Sequence, residues 1–183
     1  MLSEPPLSLL IGRRDCTEHL RQVLLSLAVA AGSAAIGFSR VVAEPAAGDC
    51  PADVWLIDNH FAGWPLDDAN VLQALVHWLR SAGHHRLHVI GRDFDAVAHA
   101  FPRFSRWRRD WSHRIDIHQP AEGALPPGLR LLLAGRQAAQ WLDAPDMRLR
   151  KVSHPVHLAA LRSDIADFLQ RCEPGWPVTP LGL

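Results

Sequence analysis

Between Val54 and Ile117 the apolar residues switch repeatedly between two periods, and that alternation limits the possible folds more than any other feature of the chain. Val54-Trp55-Leu56-Ile57-Asp58 is a short apolar run ending in an acid, read as a buried strand. Val71, Leu72, Leu75, Val76 and Leu79 then recur at helical spacing. Asp67 or Asp68 precedes them as a cap and Gly83 follows as a stop. Arg86-Leu87-His88-Val89-Ile90 alternates as a strand does. Asp93 caps a short helix to Ala100, Pro102 opens another through Trp111, and residues 113–117 alternate again.

The flanks follow the same style. Asp15-Cys16-Thr17-Glu18 resembles a helix start, with Leu20, Val23, Leu24, Leu27 and Ala31 on one face and Gly32 at the end. Residues 35–41 read as a strand, and Glu44 to Pro51 as a loop. After a loop over 119–127, residues 129–134 and 147–152 are expected as strands that come together. A last helix follows Ser153-His154-Pro155, with Leu158, Leu161, Ile165, Phe168 and Leu169 on one face. The Pro-rich tail, 173–183, is expected to lie back on the body. The fold class is α/β, a mixed sheet flanked by helices, in a single domain over 1–183.

Several functions are argued against. Nineteen basic residues balance nineteen acidic ones, so this is not a globally basic nucleic-acid glue. Gly32-x4-Gly37 has P-loop glycine spacing, but Phe38 stands where the lysine belongs. There is no G-x-G-x-x-G and no G-x-S-x-G, and no cofactor is expected. Cys16, Cys50 and Cys172 are too few and too scattered for a zinc ribbon or a disulfide scaffold. The apolar stretch Val23 to Phe38 is interrupted and short of a bilayer span, so no transmembrane segment is expected and the cytoplasm is the default location.

The neutral total conceals a segregation of charge. Residues 80–114 carry eight arginines against three acids, a net of +5, whereas residues 1–61 are at −3. Five of those arginines lie between Arg103 and Arg114. In a helix Arg103, Arg106 and Arg109 or Asp110 share one side, while Phe104, Trp107, Arg108 and Trp111 share another. Guanidinium forks bind phosphate and carboxylate bidentately, and indoles stack on bases. Arg103, Arg106, Arg109, His113 and Arg114, with Arg130 nearby, are therefore the candidate anion-binding residues. Their partner would be a phosphate-bearing or acidic ligand, nucleic acid or anionic lipid included. The rival reading is an amphipathic helix whose aromatics enter the core and whose arginines are merely solvated.

Histidine is abundant, with eleven in the chain. His84 and His88 have i, i+4 spacing, but they follow Gly83 on the way into a strand, where that spacing does not put two ligands on one helical face, so no metal is expected. An enzyme of another class would draw on Asp58, His60, His88 and His113, at strand ends or entries. A plain protein-interaction domain is a further alternative.

The order of helices and strands resembles one half of the phospholipase D superfamily, whose catalytic strand carries H-x-K-x4-D. Its counterpart here is residues 128–135, with Gly128 at the histidine, Arg130 at the lysine and Gly135 at the acid. The sole lysine, Lys151, has Leu149 two residues before it, so H-x-K is absent from the whole chain. The chain is also similar to uncharacterised proteobacterial proteins carrying such a degenerate domain, through residues 63–68, the helix from Pro102-Arg103 to His113-Arg114, and the closing Leu181-Gly182-Leu183. The resemblance implies a domain without that family's catalysis. It also implies a homodimer, since such halves work in pairs across a cleft.

Overall fold

The computed structural model describes residues 10–11, 13–32, 50–123, 125–142 and 148–177. Every described strand belongs to one sheet. In chain order the elements are β1 (Leu10–Ile11), α1 (Arg13–Ala30), β2 (Asp53–Ile57), α2 (Ala69–Ser81), β3 (Arg86–Ile90), α3 (Phe94–Ala100) and α4 (Pro102–Asp110). A 3-10 turn (Ser112–Arg114) leads into β4 (Ile115–Pro120), then β5 (Leu131–Ala134), β6 (Gln137–Trp141), β7 (Leu149–Val152), α5 (Pro155–Leu169) and β8 (Cys172–Pro174). The strand order is β1-β7-β6-β5-β2-β3-β4-β8. β2, β3 and β4 run parallel and all other pairings are antiparallel. The sheet is mixed and helices flank it, as expected.

Alternation along the strands gives each face its own core. Val54, Leu56, Leu87 and Val89 meet Leu20, Leu24 and Leu27 of α1, Leu75 and Trp78 of α2, and Phe104 of α4. Ile57, Ile90, Leu131 and Leu133 meet Leu158, Leu161, Ile165 and Phe168 of α5. Each such side chain, removed fully from water, contributes about 1.5–3 kcal/mol. Of the seven tryptophans, Trp64, Trp78 and Trp141 are buried and the other four are half-buried. Among the described residues the exposed large apolar side chains are Val29 and Val156.

Two neighbouring acids divide the capping between two helices. Asp68 caps α2, accepting from the N–H groups of Asn70 and Val71. Asp67 reaches across 36 residues and accepts from the N–H groups of Arg103 and Phe104 at 2.7 and 3.0 Å, supplying the cap that α4 lacks locally. Asp93 caps α3 through Ala96 N–H.

Several boundaries differ from expectation. α1 begins at Arg13, so Asp15 lies in its first turn instead of capping it. β4 starts at Ile115 because residues 112–114 are wound into the 3-10 turn. β5 starts at Leu131 and not at Leu129, since the chain is still turning at Gly128, whose φ is +80°. β6 was not expected at all; it folds back on β5 through Gly135-Arg136, with Gly135 at φ +56°, a conformation open to glycine at the first position of a two-residue hairpin. The expected strand over 35–41 and the end of the tail lie outside the described residues. As far as Pro177 the tail does lie on the body: β8 pairs with β4, and Trp176 stacks on Phe94.

Candidate anion-binding site

α4 crosses the α1–α2 face of the sheet with its amino end at the carboxyl-terminal edge of the parallel strands. Phe104 is fully buried and stacks with Trp107 at 5.6 Å. Arg108 points the same way and is only 5% exposed. Its guanidinium lies 4.1 Å over the Trp176 ring and donates to the Trp176 carbonyl at 2.7 Å. Burial, and then the neighbouring Arg109 charge, push its pKa down. The buried residues leave a ridge on the opposite side, where Arg103, Arg106 and Arg109 are exposed. Successive arginines on it rise by about 4.5 Å along the axis. No ion pair joins them to Asp110 or to any other described carboxylate. His113 is exposed just beyond and stacks on Trp111, over which Arg80 lies at 5.6 Å.

The other two candidates are placed differently. Arg114 is half-buried, and its guanidinium donates to the carbonyls of Ala82 and His85 at 3.0 and 3.3 Å, with Leu79 at 3.5 Å. It satisfies the carboxyl end of α2 and is not part of the ridge. Arg130 donates to Asp58 at 2.8 Å. Asp58 is 1% exposed and also accepts from Trp64 Nε1 at 2.9 Å and from the His60 N–H at 3.1 Å. The pair forms a structural clasp between β2 and the segment entering β5. The buried Nε of Arg130 and Nε1 of Trp141 have no acceptor among the described residues.

Gly128, which the resemblance sets against the histidine of H-x-K, has a left-handed backbone that a histidine side chain would strain. Its carbonyl accepts from Gln140 Nε2 at 2.6 Å.

Asp58, His60, His88 and His113 do not converge. Asp58 and His60 stand at the carboxyl-terminal edge of β2, whereas His113 precedes β4 at the opposite edge. His88 is on the α5 face, against Trp55. There its Nε2 lies 2.8 Å from Asp53, and its Nδ1 3.5 Å from Asp116, which Arg86 approaches at 3.5 Å. Strand register makes this row, since Trp55 pairs with His88 and His88 with Asp116 across β2, β3 and β4. On the next pair of that face burial pushes the His118 pKa down, against the pull of Asp116 and with the help of His88.

Sequence reasoning missed a polar groove of about 580 Å³ at the carboxyl-terminal edge, lined by His60, Arg92, Asp93, Asp95, Gln119 and Trp176 among others. None of the six candidate anion-binding residues lines it. The signal available was the position of Arg92 just beyond Gly91 at the carboxyl end of β3, where open α/β sheets hold their ligands.

No family model matches the chain, and no curated protein matches it in sequence. The fold is shared with TrmBL2, an archaeal chromatin protein. The two superpose with a TM-score of 0.56 at 10% identity, over 94% of this chain and 56% of TrmBL2. The chain thus spans about half the length of that protein, and the likeness is one of fold alone.

Proposed function

We propose that the chain is a non-catalytic, phospholipase D-like half-domain that holds a phosphate-bearing polymer, nucleic acid foremost, along the outer ridge of α4. One observation carries this reading. Arg103, Arg106 and Arg109 are exposed in a row without carboxylate partners, while Arg108, Arg114 and Arg130 are each engaged inside the fold. The proposed site therefore keeps four of the six predicted residues, Arg103, Arg106, Arg109 and, at its end, His113, and drops Arg114 and Arg130 as structural. The lack of H-x-K and the left-handed Gly128 support the absence of phospholipase chemistry.

A nucleic acid is favoured over a lipid surface for two reasons. The Arg80–Trp111–His113 stack gives bases a neighbouring platform. The exposed large apolar residues, Val29 and Val156, are not on α4, so the ridge has no anchor to dip into a bilayer. The structure of TrmBL2 is described as showing a novel mode of DNA binding, which is a statement about that protein and is compatible with this reading.

The experiment is fluorescence anisotropy of a labelled oligonucleotide at low salt, with heparin and anionic vesicles as parallel arms. Binding should weaken steeply with salt, and the variant R103A/R106A/R109A should lose about three counterions' worth of salt dependence. Vesicle binding without oligonucleotide binding would replace the partner, and silence in all three arms ends the reading. The paired arrangement that the resemblance implies is checked by light scattering, where a mass near 20.3 kDa removes the dimer.

A further inference from the structure

The opposite face of the sheet carries a second, separate opening. A slot of about 360 Å³ lies between the second half of α5 and the amino-terminal end of β2, a size typical of small-molecule sites. We propose that it binds a small planar aromatic anion, an aromatic carboxylate being the simplest case.

Shape argues for a flat ring. Trp55 and Leu133, paired across β2 and β5, line the slot's sheet side, and Ile165 and Leu169 of α5 line the other. Trp55 is half-buried, and its ring is stacked on His88 at 3.9 Å and 10° on the β3 side. Leu133 and Gly135 line the slot on its β5 side. A flat ligand ring in the slot packs against the accessible part of Trp55 and the aliphatic side chains of Ile165 and Leu169.

Hydrogen-bond capacity argues for a carboxylate. Two charged residues line the slot, Asp53 and Arg162. Asp53 is already engaged, its Oδ1 2.8 Å from His88 Nε2, and His88 in turn meets Asp116. Arg162 is exposed, and its partner in the structure is the neutral carbonyl of Gly135. It therefore keeps free N–H donors and makes no ion pair with a described carboxylate, the arrangement that favours a bidentate carboxylate. The site is independent of the α4 ridge, which lies on the other face.

The test uses 2-naphthoate and its neutral analogue 2-naphthalenemethanol, each titrated calorimetrically into the whole chain. Naphthoate should bind with a dissociation constant below about 10 mM, about tenfold tighter than the alcohol. Arg162→Gln should bring the acid to the level of the alcohol and leave the alcohol unchanged. Ala166→Trp, at an exposed helical position lining the slot, should abolish both while preserving the circular dichroism spectrum. R103A/R106A/R109A should bind naphthoate as the parent does. If Ala166→Trp loses its helical spectrum, the indole N–H resonance of Trp55 in the parent decides, and it must shift on titration. Absence of binding, binding indifferent to Ala166→Trp in a folded variant, or equal affinity for acid and alcohol overturns the proposal.

Discussion

Arg106 and Arg108 stand two residues apart on α4 and behave as different residues. Arg106 is on the solvent ridge with no ion-pair partner, and Arg108 is 5% exposed, held between the Trp176 ring and the Trp176 carbonyl. The same division runs through the molecule. Arg21, Arg114 and Arg130 tie helices and strands together, while Arg103 and Arg109 hold nothing of the fold. A guanidinium that replaces its water with fixed acceptors becomes part of the architecture. One that keeps its water costs little to leave unpaired and is available to an outside anion. Local charge density alone therefore overstates a binding surface, and the arginines must be sorted by what already occupies them.

The largest break in that division is expected at Arg130. Asp58 is buried and directs an oxygen at it, so Arg130→Met strands a carboxylate and should cost about 3 kcal/mol. Urea unfolding measures this. A cost within about 0.5 kcal/mol would place Arg130 with the free arginines and return it to the candidate site.

Arg130 also shows where reading the chain by itself stops. The outer ridge was legible because i, i+3 and i+6 fall on one side of any helix, and the Asp93 cap because its partner is three residues away. The roles of Arg130 and Arg114 depend on Asp58, 72 residues distant, and on carbonyls about 30 residues away, and no local pattern encodes those distances. The sheet divides in the same manner. β2 and β3 announce themselves by apolar runs between caps and glycines. β6 is written Gln-Ala-Ala-Gln-Trp, in which alanine and glutamine favour helix, and only pairing with β5 and β7 makes it a strand. The cluster of Asp53, His88 and Asp116 likewise appears only once the register of three strands is known.

Arg108→Ala should be the next largest effect, at about 2 kcal/mol, from the lost ring contact and the lost hydrogen bond to the tail. Its signature is positional. The tail's Trp176 should become more accessible to acrylamide quenching, a change that Arg106→Ala should not produce. Equal quenching in the two variants would remove the distinction between them.

Acid provides a third handle, through Arg21. Its Nε lies 2.8 Å from Asp68, which also caps α2. Burial pushes the Asp68 carboxyl up, but the Arg21 hydrogen bond and the N–H groups of Val71 and Asn70 outweigh it and hold the pKa below its ordinary 3.8. For a carboxylate held low by folding, the stabilisation is present above the unfolded value and disappears as pH falls through the folded one. The stability gap between the parent and Arg21→Gln should therefore be full at neutral pH and close progressively below pH 3.8. A gap that persists unchanged well into acid would mean that Arg21 acts through its aliphatic stem and not through Asp68.

The smallest effect belongs to the ridge, and its smallness is what gives it weight. Arg103, Arg106 and Arg109 are exposed and have no ion pairs, so each change to alanine should move stability by no more than about 0.5 kcal/mol. Alanine is also the better helix former, which offsets part of any lost solvation. Arg103 is the instructive member, because its backbone N–H donates to Asp67 while its side chain does not. Arg103→Ala therefore keeps the cap of α4, and Asp67→Ala removes it, at about 1 kcal/mol. Thermal unfolding of the two variants separates main chain from side chain at one position. If Arg103→Ala is as damaging as Asp67→Ala, the guanidinium supports the helix start, and the ridge contains one fewer arginine free to meet a phosphate.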